Sequence, residues 1–179
     1  MKSFLQLAAQ RQSDRAFVPG KKIEREVLER IIEAARLAPS ACNGQPWHFT
    51  VITGDELLPK VGKATSSLGM NRFVKDASAL VLITHEPTNI TSKLGSGIKD
   101  KDFPMMDLGI ASAYMTLAAE DEGIGSCILG WFDEKAIKEL VNIPSKRRLM
   151  LIVALGYAAK EKRKKIRKEW DKVVSFEKY

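Results

Sequence analysis

The stretch MMDLGIASAYMTLAAEDEGIGSCILG, residues 105–130, decides the fold. Its first part, Met105 to Glu122, is apolar on nearly every side, which predicts a central helix enclosed by other elements. Small residues between positions 109 and 113 permit the close approach of another helix. Gly123 suits the left-handed residue that ends a helix, and Ser126 to Leu129 then predicts a short strand.

Helices and strands alternate outward from this stretch. The predicted helices are Ile23 to Ala38 and Glu134 to Asn142, and the further predicted strands are His48 to Thr53, Ser78 to Thr84 and Leu149 to Leu155. This interleaving favours a layered α/β or α+β domain with helices on the sheet. Residues 88 to 103 are rich in Ser, Thr, Gly and Lys and predict a loop of the kind that covers sites. Val173 to Phe176 is β-prone but has no obvious local partner.

Length and composition predict a single domain, residues 1–179. The chain is 45% apolar, which is enough for one substantial core. No uncharged apolar run reaches the roughly 18 residues of a bilayer crossing, and the N-terminus lacks a convincing signal-peptide core, so we expect a cytoplasmic protein. Cys42 and Cys127 make neither metal spacing nor a disulfide framework, which agrees with a reducing compartment.

Most of the formal charge lies in one segment near the C-terminus. Residues 160–168, KEKRKKIRK, supply +6 of the net +7, and the remaining chain is close to neutral. Three interpretations of this basic tail stay open on charge alone: a solvated end, a contact with polynucleotide, or a site for a small phosphate. The charge does not indicate a broad nucleic-acid groove.

The common catalytic sets are absent from the sequence. His48 and His85 lie within or at the end of predicted strands, which favours structural roles over a catalytic triad. No HExxH, paired CxxC or GxxxxGK[ST] motif is present, no metal site is expected, and no acidic pair suggests hydrolysis. Residues 123–130, GIGSCILG, lead into a strand and do not open a helix, so they are not a dinucleotide fingerprint.

Two polar segments remain as candidates for binding. Residues 11–15, RQSDR, combine two guanidinium groups and a hydroxyl, which suits a phosphate but also an ordinary surface cluster. Residues 39–47, PSACNGQPW, form a loop with two prolines and two amides that can contact a planar heterocycle. The same loop can instead be an ordinary turn that places Trp47 in the core.

The chain resembles the nitroreductase family of FMN-dependent oxidoreductases nearly end to end. The resemblance is carried, in order and spacing, by RQSDRAF (11–17), APSACNGQPWHF (38–49), KDAS (75–78), MDLGIASAYMTLAAEDEGIGSCILGWF (106–132) and LIVALGYAA (151–159). It implies an α+β fold with a central, mostly antiparallel sheet flanked by helices. It also implies an intertwined homodimer that exchanges the C-terminal strand, Val173 to Phe176, and binds one FMN in each of two interface sites.

The resemblance assigns the cofactor-binding positions in four groups. The flavin's phosphate, ribityl chain and pyrimidine edge would be held by Arg11, Gln12, Ser13 and Arg15. The loop that reaches the same flavin from the partner subunit would be formed by Pro39, Ser40, Ala41 and Asn43. The strand end near the redox-active nitrogen would be formed by Ile128, Leu129 and Gly130. The family's K-x-R phosphate clamp is matched by Lys165 and Arg167.

The implied activity is reduction of an electron-poor acceptor, such as a nitroaromatic or a quinone, by alternate half-reactions in which NADH or NADPH first delivers hydride to the flavin. The resemblance favours a small-phosphate site in the basic tail, and neither nucleic acid nor a membrane is expected as a partner. The alternatives are a flavin-dependent dehalogenase or ring-fragmenting enzyme, and a non-enzymatic interaction module that uses the tail. No catalytic side chain is assigned.

Two positions depart from the pattern of the family. Trp131 follows Gly130 where many larger relatives carry an acidic residue, so the pocket shape and the electronics of the ring are expected to differ. A side-chain contact to the flavin is expected between residues 69 and 73, and Asn71 is the candidate there.

Overall fold

A central sheet organises the part of the chain that the structure describes. In the computed structural model, which describes residues 3–66, 69–87 and 101–179, the strands of this sheet are β1 (Trp47–Ile52), β2 (Ala79–His85), β3 (Gly125–Leu129) and β4 (Arg148–Gly156). They lie in the order β1-β2-β4-β3, and every neighbouring pair is antiparallel. The four strand predictions are confirmed, with ends that differ by at most one residue. The predicted antiparallel α+β architecture is confirmed as well.

Five helices of the described residues flank the sheet. They are α1 (Phe4–Gln10), α2 (Arg25–Arg36), α3 (Leu57–Thr65), α4 (Phe103–Asp121) and α5 (Glu134–Val141), and single 3₁₀ turns occur at Ala41–Asn43, Arg72–Asp76 and Trp170–Lys172. The sequence did not predict α3, because its segment contains Pro59 and Gly62, two residues that usually interrupt helices. Pro59 lies in the first turn, where the missing N–H costs little.

The sheet separates two hydrophobic clusters. Successive β2 side chains point to opposite faces, so Val81 and Ile83 pack in the cluster beneath α2 and α4, while Leu80 and Leu82 pack in the cluster beneath α3 and α5. This explains why β2 is apolar at nearly every position. Trp47 is buried in the first cluster, which confirms the interpretation that the loop before β1 places this indole in the core.

Helix α4 is buried on one side and exposed on the other. Its first turn is capped by Asp102, whose carboxylate accepts a hydrogen bond of 3.2 Å from the Met105 N–H. Met106, Ile110 and Tyr114 recur every four residues and are 53%, 37% and 42% exposed. The prediction of a helix enclosed on every side is therefore wrong within one chain, because no described element covers this apolar face.

The C-terminal segment follows an irregular path after β4. Phe17 and Ala158 form an isolated antiparallel bridge, and the next regular element is the 3₁₀ turn at Trp170–Lys172. Val173 to Phe176 forms no strand in this chain, and both Val173 and Phe176 are exposed. Strand exchange with a second copy therefore stays a prediction. Residues 88–100 of the predicted covering loop lie outside the described residues.

No helix in the described ranges combines the length and apolarity needed to cross a bilayer.

Candidate functional site

The basic tail folds back onto the segment that follows α1. The Arg163 backbone N–H donates to Oε1 of Gln12 at 3.1 Å, and the Arg163 guanidinium donates to the Ser13 carbonyl at 3.0 Å. Two residues further on, the Lys165 ammonium donates to the Ala8 carbonyl at 2.6 Å. These contacts hold residues 163–165 against residues 8–13 across a large sequence separation.

The two segments enclose a cleft of about 370 Å³. Its lining contains six cationic side chains and little else, namely Arg11, Gln12, Ser13, Arg15, Arg163, Lys164, Lys165, Ile166 and Arg167. The structure thus brings together the first predicted group, residues 11–15, and the predicted K-x-R pair. Arg163 and Lys164 also line the cleft, although the resemblance did not assign them.

The electrostatics of this cationic cleft favour an anion. Burial, and next the charges of Arg11 and Arg167, lower the pKa of the Lys165 ammonium. Across the described residues, no carboxylate lies in ion-pair contact with Arg11, Arg15 or Arg167. An anionic group in the cleft would relieve this repulsion and accept charge-assisted hydrogen bonds.

Residues 13 and 14 are fixed beside β3. Ser13 and Ser126 form an isolated parallel bridge, in which the Asp14 N–H donates to the Ser126 carbonyl at 2.8 Å. The Ser126 N–H donates in return to Oδ2 of Asp14 at 3.2 Å. A Cβ at Gly125 would lie 3.0 Å from that oxygen and 3.1 Å from the Gly156 carbonyl, so this close approach favours glycine.

The end of β3 lies next to a second, less polar depression of about 300 Å³. It shares Arg11 with the cationic cleft, and its other lining residues are small or apolar: Ala8, Gly109, Ala113, Thr116, Leu117 and Ile128. Among the strand-end residues predicted for the flavin ring, Ile128 is 39% exposed, and a Cβ at Gly130 would meet no atom within 4 Å. Leu129 is buried in the core, so only its backbone is available to a ligand.

The predicted loop Pro39–Asn43 lies at the opposite end of α4. The Ala41 N–H donates to both carboxylate oxygens of buried Asp107, at 3.2 and 3.1 Å, and the Ser40 hydroxyl accepts from the Gln45 N–H at 3.0 Å. Glu120 lies at the cleft end of α4. Asp107 lies 13 residues earlier in the same helix, which corresponds to about 20 Å along its axis. Within one chain the loop and the cationic cleft are therefore separate.

Asn71 and Trp131 lie beside the end of β3. The Asn71 side-chain amide donates to the Trp131 carbonyl at 2.9 Å and to the Thr65 carbonyl at 3.1 Å. The Trp131 side chain is 54% exposed. The structure therefore gives Asn71 a role in holding the backbone just after Gly130.

Sequence reasoning missed three buried carboxylates that support the candidate site. Asp14, Asp107 and Glu120 are 5%, 4% and 6% exposed. Asp107 and Glu120 are acidic residues in the largely apolar helix α4, and Asp14 lies inside the basic motif RQSDR, residues 11–15. Acidic residues in such contexts usually have buried partners, because an unpaired buried charge is costly, and this is the signal that could have found them.

The two cysteines lie in different environments. Cys42 is exposed and Cys127 is buried, and both are free thiols. Burial, as the largest effect, raises the pKa of the Cys127 thiol, so it stays protonated near neutral pH. Within residues 3–66, 69–87 and 101–179, no group of His, Cys, Asp and Glu is arranged to hold a metal ion.

Comparison with known proteins identifies the family. The model of the nitroreductase family matches residues 8–157. An Archaeoglobus fulgidus protein named for NADH dehydrogenase or NAD(P)H nitroreductase activity is 34% identical over 166 residues, which cover 90% of this chain and 89% of that protein. The iodotyrosine deiodinase of Thermotoga neapolitana is 28% identical, with 94% of this chain and 96% of that protein covered.

The fold agrees with this match. The solved structure of an FMN-dependent nitroreductase from Clostridium difficile R20291 has a TM-score of 0.77 and 26% identity, and the alignment covers 98% of this chain and all of that one. The family model spans the whole sheet and the residue 11–15 side of the cationic cleft, and the structural alignment covers nearly the whole chain. The chain belongs to the nitroreductase family.

Proposed function

We propose that this protein is an FMN-dependent oxidoreductase that uses NADH or NADPH to reduce nitroaromatic, quinone or similar electron-poor acceptors by a ping-pong sequence. The observation that carries the proposal is the cationic cleft, which shares Arg11 with a depression lined mainly by small and apolar residues. FMN combines a phosphate with a flat aromatic ring, and the two adjoining cavities offer the matching chemistries.

The residues of the cleft fit an FMN phosphate. Arg11, Arg15, Lys165 and Arg167 would supply cationic donors, and Ser13 a hydroxyl. The lowered pKa of the Lys165 ammonium supports this fit, because a phosphate would remove the repulsion from Arg11 and Arg167 that contributes to the lowering. The strand-end residues Ile128 to Gly130 would contact the ring.

A second copy of the chain would complete the site. The loop Pro39–Asn43 and the cationic cleft lie at opposite ends of α4, and the exposed stripe Met106, Ile110 and Tyr114 lies along this helix. Two copies packed with their α4 helices antiparallel would bring the loop of one towards the cleft of the other. We therefore propose a homodimer of two 179-residue FMN-binding domains, with each C-terminal arm, residues 160–179, reaching its partner.

The cofactor supplies the redox chemistry: when bound, FMN accepts hydride from a reduced nicotinamide and passes it to an acceptor. The chain binds and orients it. The cations of the cleft would neutralise the phosphate, and the exposed end of β3 would leave one side open to substrates. His48 and His85 lie in β1 and β2, outside the lining of the cleft, so we assign no side chain a proton-transfer role.

The geometry disfavours the nucleic-acid interpretation of the tail. Arg163 and Lys165 turn towards Ser13 and Ala8 and help to enclose a concave cleft. A polynucleotide contact usually presents its cations on an open surface or stripe. A cleft of about 370 Å³ instead matches the size of a small phosphate-bearing molecule.

A second candidate activity is reductive dehalogenation of an aromatic substrate. It is supported by the similarity to the Thermotoga iodotyrosine deiodinase over nearly the whole of both chains. Iodide release from iodotyrosine under reducing conditions would distinguish this activity from nitro or quinone reduction.

The direct test of the proposed activity is nicotinamide oxidation by the purified protein. Supplied with FMN, it should oxidise NADH or NADPH when para-nitrobenzoate or para-benzoquinone is added. Initial rates at several fixed acceptor concentrations should give parallel double-reciprocal lines, as expected for alternate half-reactions. Intersecting lines would contradict the ping-pong sequence. A flavin-loaded protein that oxidises neither NADH nor NADPH would contradict the proposed use of a nicotinamide as reductant.

A further inference from the structure

Two buried carboxylates meet beneath the cationic cleft. Asp14 follows α1 and Glu120 lies in the last turn of α4, and both side chains are more than nine-tenths buried. The Lys162 ammonium donates to Oε2 of Glu120 and lies 3.9 Å from Oδ2 of Asp14. In the described parts of the chain, Lys162 is the one cation in ion-pair contact with either carboxylate.

Both carboxylate oxygens of Asp14 also accept hydrogen bonds. Oδ1 accepts from the Gln12 side-chain amide at 2.7 Å, and Oδ2 accepts from the Ser126 N–H at 3.2 Å. Asp14 therefore joins the candidate site to β3 and to the tail at the same time. Buried carboxylates need such partners, because an uncompensated charge in the interior is strongly destabilising.

Lys162 immediately precedes the residues that enclose the cleft. The contacts of Arg163 with Gln12 and Ser13, and of Lys165 with Ala8, all end on uncharged oxygen atoms. Among the residues that the structure describes, the contact of Lys162 with Glu120 and Asp14 is the one that joins opposite charges between this part of the tail and the body of the protein. The cations of residues 163–167 repel Arg11 and Arg15, so an attraction between opposite charges would add to the hydrogen bonds of Arg163 and Lys165 in keeping the tail in place before an anion binds.

We propose that Lys162 is a positioning residue, which holds residues 163–167 in phosphate-binding position through its ion pairs with Glu120 and Asp14. The inference rests on the proposed FMN site and adds to it a residue that does not line the cleft. Lys162 acts from below the cleft, where the carboxylates lie, and its own side chain is 42% exposed. The resemblance to the family did not assign any of these three residues.

The test compares FMN with riboflavin, which has the same ring and no phosphate, on the full-length chain. Lys162→Met removes the charge and keeps most of the chain length. It should weaken FMN binding about tenfold, because residues 163–167 would lose the ion pairs that position them, and riboflavin binding less than about twofold. Lys162→Arg should keep the preference for FMN, since a guanidinium also pairs with carboxylates. Lys160→Met, which removes a charge from the same tail outside the cleft, is the matched control.

Glu120→Gln is the second variant, because Lys162→Met leaves two buried carboxylates unpaired and can reduce folding yield. It should shift the ratio of FMN to riboflavin affinity in the same direction by a smaller factor. Combining it with Lys162→Met should add little to the loss caused by Lys162→Met alone.

The outcomes separate the two proposals. A wild-type protein that binds FMN no more tightly than riboflavin would overturn the proposed phosphate site itself. A wild type that prefers FMN, together with Lys162→Met and Glu120→Gln variants that keep the full preference, would overturn the role of Lys162 alone. Equal weakening of both flavins in these variants would show a merely structural ion pair and would also overturn it.

Discussion

Arg11 lies where the two cavities meet, since it lines both the cationic cleft and the adjoining depression. Arg11→Ala should weaken FMN binding by about 1.5–3 kcal/mol, or roughly tenfold to a hundredfold, because it removes a charge-assisted hydrogen bond to the phosphate. Riboflavin affinity should change much less. Fluorescence titration of both flavins, with Lys160→Ala as control, measures the difference. Equal losses would show that Arg11 does not hold the phosphate.

Lys165 predicts a pH dependence of FMN binding. Burial, followed by Arg11 and Arg167, lowers the pKa of its ammonium, so Lys165 loses its charge at a lower pH than an ordinary lysine. Rising alkaline pH therefore removes a cationic partner of the phosphate, and FMN affinity should fall while riboflavin affinity stays nearly level. In Lys165→Gln the alkaline fall in the affinity ratio should be smaller. An unchanged ratio across the alkaline range in the wild type would contradict this role.

At the level of single residues, the sequence identified the cations of the site better than its acids. Arg11, Arg15, Lys165 and Arg167 were assigned through a recognisable motif and spacing, and they meet in one cleft. Asp14 and Glu120 belong to no motif, because their role depends on a third residue, Lys162, that is distant in sequence and close in space. Tertiary ion pairs of this kind follow from the fold and not from local pattern.

Gly156 at the end of β4 allows Phe17 to lie directly against the sheet. A Cβ at this position would be 2.8 Å from the Phe17 ring, which no ordinary side-chain contact tolerates. Gly156→Ala should destabilise the protein by about 1–3 kcal/mol through overpacking. It should also weaken FMN binding by displacing the segment that carries Arg11 and Arg15. Gly54→Ala, where the new Cβ meets nothing within 4 Å, is the control. Equal melting temperatures for the two variants would contradict the packing argument.

At the level of elements, patterning located the strands well because β2 and β4 are buried on both faces and bounded by polar turns. It missed α3, since Pro59 and Gly62 obscure a helix that tertiary packing stabilises: Val61 is fully buried, and Gly62 lies near Val74. It also assigned a strand to Val173–Phe176, where a single chain supplies no partner strand. The β-propensity of Val173–Phe176 can produce a strand only if this segment pairs with the edge of another sheet.

Shortening the C-terminal arm, residues 160–179, tests whether it holds the proposed dimer together. Trp170, Val173 and Phe176 are 71%, 61% and 82% exposed in one chain, and a soluble monomer rarely leaves such side chains uncovered together. Deleting residues 171–179 should lower thermal stability and loosen the dimer while Lys165 and Arg167 remain present. Flavin should then be lost on dilution, because in the proposed dimer the partner would supply the loop Pro39–Asn43.

Sedimentation velocity and flavin retention over a dilution series measure this effect. Val173→Ser combined with Phe176→Ser keeps the full length and should loosen the dimer in the same direction, which separates loss of apolar contact from loss of chain. A truncated protein with an unchanged dimer and unchanged flavin occupancy would show that the arm is only a solvated tail.

For the molecule as a whole, we propose that two copies of this chain together hold one FMN per chain. The most direct measurement is the flavin released by heat from the purified dimer, quantified against protein concentration after reconstitution with FMN. We expect a yellow protein whose released FMN approaches one per chain. A folded, dimeric protein that is colourless and fails to bind added FMN would contradict it.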